Sequence, residues 1–297
     1  MSVVSGLGPI AIEADSTTQG LRVIDYACRE ARESGADLLL VRPYRETVPY
    51  SPMVPLSTPA DLRDAATADL QIAMDHARKL AGDMVDVRGI VVPGSRHAAL
   101  LAAAENAQLL IVARHHSHGA HRTIAAQSNL NLAGEAACPV IVVPPGWSAP
   151  ARPGPLYVGI DGSELSREAI EFAYATAAHR RAHLVVVHAG RPSRGPSGTT
   201  SPELTVAESL AGYAERYPEV RVTRLVTSQS VTDALVGASA RAGLLVVGAH
   251  AGRLPHDPNA RHAIAGASCP IAVVKHIARP SERHNESMRA DIVVPTY

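Results

Sequence analysis

Residues 155–163 read PLYVGIDGS, an apolar run that stops at Asp161-Gly162-Ser163 and leads straight into a helical pattern. Asp161 presents a carboxylate where a strand turns into a helix. It can accept hydrogen bonds from a bound molecule, or it can serve the helix start, a common use of Asp and Ser. Gly162 leaves room beside the backbone, and Ser163 begins the helix. The stretch occurs twice: 146 positions earlier, PIAIEADST at 9–17 places Asp15 under Asp161 and Thr17 under Ser163, with Glu13 in place of Gly159. A second chemically capable set is histidine: His115, His116, His118 and His121 in one half, His250, His256 and His262 in the other. Such clusters can ligate zinc, copper or nickel. With no adjacent cysteine and no standard ligand spacing, solvated loop histidines titrating near neutral pH are the alternative. There is no nucleophile elbow, no Walker sequence and no pair of carboxylates with an acid and base division, so the chain reads as non-enzymatic.

The elements that must position these groups also come in two sets. Apolar segments at 9–14, 37–41, 85–92, 109–113 and 140–143 read as buried strands, with helices at 18–34, 60–81, 95–106 and about 123–136 between them. A second series of strands lies at 156–160, 183–188, 220–226, 244–248 and 271–274. The first helix carries Val23, Ile24, Ala27, Cys28 and Ala31 at helical spacing, and Ala169, Ile170, Ala173, Tyr174 and Ala177 repeat the same five positions after the 146 shift. Strand and helix in alternation argue for a parallel sheet with right-handed crossovers and helices on both faces. The proline-rich stretch 144–155, which holds the only tryptophan, marks the junction. The expected organisation is a first domain at 1–146, a linker at 147–154, a second domain at 155–276 and a tail at 277–297. Residues 44–59, with four prolines, read as a long loop of the kind that borders binding clefts. The Gly/Pro/Ser-rich insert at 190–202 is expected to be mobile, and 291–295, DIVVP, could add to a sheet edge.

Composition excludes several classes. Lys plus Arg equals Asp plus Glu at 28 each, which leaves no basic footprint for nucleic acid. No apolar run reaches the roughly 18 residues needed to cross a bilayer, and the N-terminus lacks a signal-peptide pattern, so a cytoplasmic protein is expected. Hydrophobic content is 46% but aromatics only 3%, so Ala, Val, Leu and Ile must fill the core, which suits parallel strands covered by helices. Three cysteines, Cys28, Cys138 and Cys269, make no disulfide framework and read as buried core residues.

The series VGIDGSELSREAIEFA at 158–173, LVVVHA at 184–189, LLVVGAHAG at 244–252 and CPIAVV at 269–274 resembles the universal stress protein family. The duplication resembles its tandem members, and the likeness is strong over 155–275 and weaker over 9–143. It implies an α/β fold of two Rossmann-like domains of the adenine nucleotide α hydrolase-like type, each a five-stranded parallel sheet of order 3-2-1-4-5. It also implies ATP between the first and fourth strands, a stress-response or regulatory role, and pairing of domains through strand five. Here that pairing would make a pseudo-dimer within one chain, and two chains could associate further as a homodimer. Antiparallel pairing of 140–143 with 271–274 would hold Cys138 and Cys269 roughly 20 Å apart, beyond the ~7 Å reach of a disulfide.

In nucleotide-binding members of the family, strand four runs into G-x-x-G, nine residues, then Gly with Ser or Thr, so that backbone N–H groups and a helix start face the phosphates. In the second half Gly248 fills the first position, Ala251 the next, Gly252 falls one place late, and the loop is about four residues short, ending on Asp257-Pro258. The first half keeps the spacing but reads Ala113, His116 and Ala126-Gln127. The expected nucleotide set is therefore Asp161, Gly162, Ser163, Gly248, Ala251 and Gly252, with Asp15 vestigial and Glu13 adding negative charge to the first cleft. No ordinary ATP site is expected in the first half and at best a weak or altered one in the second; an ATP- or AMP-sensing module acting through the second half is the alternative reading. A metal reading would rest on His115, His116 and His118.

Overall fold

The computed structural model describes residues 8–45, 58–114, 120–151, 153–162, 166–189, 194–195, 198–199, 201–249 and 258–275. The first half runs β1 (Ile10–Glu13), α1 (Thr18–Ser34), β2 (Leu38–Tyr44), α2 (Pro59–Ala81), β3 (Val87–Pro93), α3 (Arg96–Ala104), β4 (Leu109–Ala113), α4 (Ala120–Glu135) and β5 (Val140–Val143). The second continues with β6 (Leu156–Ile160), α5 (Ser166–Arg180), β7 (Leu184–Ala189), the two-residue strands β8 (Arg194–Gly195) and β9 (Gly198–Thr199), and the helices α6 (Pro202–Ser209) and α7 (Tyr213–Arg216). It ends with β10 (Val222–Thr227), α8 (Val231–Ser239), β11 (Leu244–Ala249), α9 (Pro258–Gly266) and β12 (Ile271–Lys275).

Local chemistry explains the helix bounds. Thr17 caps α1 by accepting from the Gly20 N–H, and Gly35 ends it in the left-handed region at φ 67° with its own N–H on Ala31 O. Thr58 and Asp61 form a reciprocal capping box at α2, whose first residue is Pro59. Ser95 and Ser230 cap α3 and α8 at equivalent places in the two halves. The first-helix stripes at Val23 to Ala31 and Ala169 to Ala177 are buried in both copies.

The ten long strands form one sheet in the order β10-β7-β6-β11-β12-β5-β4-β1-β2-β3. Each half therefore has the order 3-2-1-4-5, and every neighbouring pair within a half is parallel. The halves join where β5 and β12 pair antiparallel, with Ile271, Ala272 and Val273 opposite Val142, Ile141 and Val140. Because the strands of one half point opposite to those of the other, the carboxyl ends of the first half's strands lie beside the starts of the second half's. One apolar layer, under α1, α2 and α5, and a second, under α3, α4, α8 and α9, each run across both halves.

At the seam, Arg180 of α5 reaches Glu30 and the Tyr26 hydroxyl (3.2 Å) of α1, and its Nε lies 3.5 Å from Glu33. Burial, then the Glu30 charge, pushes the Tyr26 phenol far up. Arg180 loses charge stability on burial but gains more from Glu30 and Tyr26, so it stays protonated. On the other face, the Arg114 guanidinium donates to Ala267 O (2.8 Å) and to Ile264 O, so the first half caps the last turn of α9 in the second.

Within the 190–202 insert the described residues form the β8–β9 pair, Arg194 opposite Thr199. Two expectations change. Chain expected as loop at Tyr44 extends β2, which pairs with β3 as far as Pro93. Trp147, placed in the linker by its prolines, is buried at 9% exposure against Tyr26. The 291–295 segment lies outside the described residues. Among the described residues no helix is long and apolar enough to cross a membrane.

Candidate functional site

In an open α/β sheet, ligands collect beyond the carboxyl ends of the strands where the winding reverses. In the second half that point lies between β6 and β11, which pair from Leu156 opposite Leu244 to Gly159 opposite Val247. Asp161 follows β6 and Gly248 sits near the end of β11, so the fold brings these two to one end of adjacent strands. Asp161 is exposed, and its Oδ1 accepts from the Ser166 hydroxyl at 2.9 Å. The Asp161 N–H donates to the same Ser166 Oγ at 3.3 Å. The carboxylate thus helps to start α5 while still facing solvent.

Gly162 has φ 82°, the left-handed region that disfavours a side chain, and a Cβ there would lie 2.2 Å from Thr205 Cγ2 of α6. Beside it opens a polar pocket of about 410 Å³ lined by Arg167, Thr205, Glu208, Ser209 and Tyr213. That volume falls in the range of small-molecule sites, roughly 300–1,000 Å³. At the next strand, His188 of β7 donates from Nδ1 to Ile160 O at 3.1 Å, which fixes its tautomer and leaves Nε2 as the ring's other polar edge. Ser163, Ala251 and Gly252 lie outside the described residues, as does Asp257.

The first half is built differently at the same place. Asp15 Oδ1 accepts from the Thr17 N–H at 2.9 Å and from the Thr17 hydroxyl, while Thr17 in turn caps α1. The neighbouring Ser16 N–H donates to Asp69 of α2 at 2.9 Å, and Asp69 pairs with Arg42 of β2 at 2.7 Å. The β1–α1 turn is therefore tied from both sides.

The expectation that Glu13 adds negative charge to the first cleft is corrected, because that charge is paired. Glu13, only 8% exposed, is gripped by both ends of the Arg96 guanidinium, with Arg96 NH2 at 2.6 Å from Oε2. Arg96 also reaches Asn129 Oδ1 at 3.3 Å, and the buried Asn129 amide donates to Ala113 O at 3.1 Å. A buried carboxylate is costly unless paired, so the Arg is the partner the substitution requires. Glu13 in place of Gly159 was the sequence signal. The distance of 83 positions to Arg96 hid its answer.

His115, His116 and His118 lie outside the described residues. Among the described residues there is no cluster of three or more His, Cys, Asp or Glu able to hold a metal. The three thiols are buried and not disulfide-bonded, and burial pushes each up to about 12, which makes them poor nucleophiles.

Comparison with known proteins bears on the family and the fold. Among characterised chains, a universal stress protein of Mycolicibacterium smegmatis is 28% identical over 257 residues, 81% of this chain and 86% of that one. The universal stress protein Rv2005c of Mycobacterium tuberculosis is 38% identical over 130 residues, 40% of this chain and 44% of that one. In fold, a universal stress protein from Archaeoglobus fulgidus superimposes with a TM-score of 0.68 at 14% identity, covering 91% of this chain and 97% of the other. One from Pseudomonas aeruginosa gives 0.62 at 16% identity, covering 98% and 100%. The profile of the universal stress protein family matches twice, at residues 9–144 and 154–275, and the chain belongs to that family as a tandem, two-repeat member.

Proposed function

We propose that this chain is a non-enzymatic stress-response protein in which adenine nucleotide, ATP or AMP, binds the second half and the first half serves as a structural partner. The observation that carries the reading is the contrast at one position of the first strand. Gly159 in the second half puts no side chain at that position of β6, whereas Glu13 in the first is held there by Arg96, which itself donates to Asn129. Asp15 is drawn into the start of α1, while Asp161 stays exposed beside a 410 Å³ pocket. In this reading Asp161 accepts from the nucleoside and Gly248 gives the phosphates access to backbone N–H groups. The antiparallel β5–β12 pairing supports a pseudo-dimer within the chain, which covers the strand-five edges that separate domains would have to pair.

Calorimetry with ATP and AMP tests this. One nucleotide per chain is expected, with binding abolished by Asp161→Ala and retained in Asp15→Ala. Two nucleotides per chain, or loss of binding in Asp15→Ala alone, would contradict the assignment.

A further inference from the structure

Joining the halves through β5 and β12 leaves β3 and β10 as the outer strands of the ten-stranded sheet. They hold equivalent places, because Leu38 and Leu184, 146 positions apart, lie opposite Val87 and Val222. Ile90 of β3 therefore matches Leu225 of β10, and each is 41% exposed. The preceding position differs: Gly89 in β3, Arg224 in β10. A charge within an edge strand discourages another chain from pairing with it. β10 has that charge, whereas β3 is uncharged from Gly89 to Pro93. The Arg88 charge at its start is answered within the chain by Asp86 at 3.2 Å and Asp37 at 3.8 Å.

We propose that β3 pairs antiparallel with β3 of a second copy of this chain, about a two-fold axis at Ile90, so that two ten-stranded sheets become one. Backbone direction supports that register. Leu38 N–H donates to Asp86 O at 2.8 Å and Gly94 N–H to Tyr44 O at 2.9 Å, so even-numbered residues of β3 turn their backbone groups to β2. Val87, Gly89 and Val91 turn theirs outward. Pairing about Ile90 sets Gly89 opposite Val91 and Val87 opposite Pro93, which uses all three outward N–H groups and asks none of the proline. The two Ile90 side chains then meet as a close, non-hydrogen-bonded pair, and each Arg88 lies opposite Val92, away from its own copy.

Helix α2 fits the same arrangement. It lies over both β2 and β3, and a Cβ on Gly89 would come within 2.4 Å of Met74 Sδ. With strands about 4.8 Å apart, the two α2 axes would stand roughly 10 Å apart across the seam, the spacing of packed helices. Near its start α2 carries Asp61 and Asp64 against Arg63, and in its last turns Arg78 and Lys79 against Asp75. The two-fold runs the helices antiparallel and sets each acidic end beside a basic one. The contact is isologous and closes at two copies, since the Arg224 edge does not extend it.

Sedimentation velocity on the full chain, over a range of concentrations, is expected to show a dimer. Ile90→Lys places like charges opposite each other on the axis and should weaken dimerisation at least about tenfold. Val91→Pro, which removes an outward N–H but no bond to β2, should do the same if the charged variant fails to fold. Leu225→Lys, the equivalent change on β10, should leave the dimer as it is. With oxidised glutathione, Ile90→Cys should cross-link two chains, because the paired Cα atoms lie about 4.5 Å apart, and Leu225→Cys should not. Removal of residues 277–297 should also leave the dimer intact. Circular dichroism reports that each variant is folded. The proposal is overturned if wild type is monomeric, if folded Ile90→Lys and Val91→Pro both dimerise as wild type does, or if Ile90→Cys fails to cross-link. A monomer on removal of 277–297 would overturn it too, by giving the contact to the tail.

Discussion

Arg96→Ala probes the internal pair that distinguishes the two clefts. The substitution removes the bidentate cation from Glu13, which is 8% exposed, and leaves Asn129 its bond to Ala113 O. Breaking a buried pair from one side costs about 3–5 kcal/mol. The Arg96 side chain is 27% exposed, so solvent screens part of the loss and about 2–3 kcal/mol is the expected cost. At about 2–4 °C per kcal/mol for a domain of 150–250 residues, the melting temperature should fall by about 4–12 °C. Urea denaturation of Arg96→Ala, Glu13→Ala and the double variant closes the cycle. With both charges gone, the double variant should lie within about 1 kcal/mol of wild type, a coupling of about 2 kcal/mol. An Arg96→Ala cost below about 0.5 kcal/mol, or additive single changes, would refute the view that this pair holds the first cleft.

Other outcomes follow from the same geometry. Gly162→Ala should destabilise the second half by about 2–4 kcal/mol, because φ is positive and the new Cβ meets Thr205; adding Thr205→Ala should recover the steric part alone in thermal melts. Trp147→Ala should cost about 3–4 kcal/mol in urea denaturation, since it empties a buried seat at the junction of the halves. With its three thiols raised from 9.0 to about 12 in the fold, the native chain should resist a thiol reagent at pH 8 and react at all three only when unfolded. The same shifts give a pH dependence: the unfolded chain releases these protons from about pH 9 and the folded chain only near 12, so stability should decline as pH rises through that window.

The fold was legible because its signals are local or repeated. The apolar stripe at Val23 to Ala31 recurs at Ala169 to Ala177 with the same spacing, and the strand runs are continuous as both-face burial demands. The fifth-strand pairing followed from the family resemblance and is present in register. What escaped were partners set by tertiary packing. Arg114 reaches α9 across 150 residues, and Arg96 answers Glu13 across 83. The helices α6 and α7 follow the Gly/Pro/Ser-rich insert and, at eight and four residues, are too short to show a clear helical period, and Trp147 was masked by the prolines around it. At the candidate site, the family resemblance pointed to Asp161 and Gly248, whereas Thr205 and Tyr213 join the pocket beside Gly162 and Arg167 only through the packing of α6 and α7.

Photolabelling with an azido-adenine nucleotide, followed by peptide mapping, tests the central claim most directly. Label confined to peptides of residues 155–275, and competed by ATP, is the predicted result. Competed label in peptides of residues 9–143 would contradict a first half closed by Glu13 and Arg96.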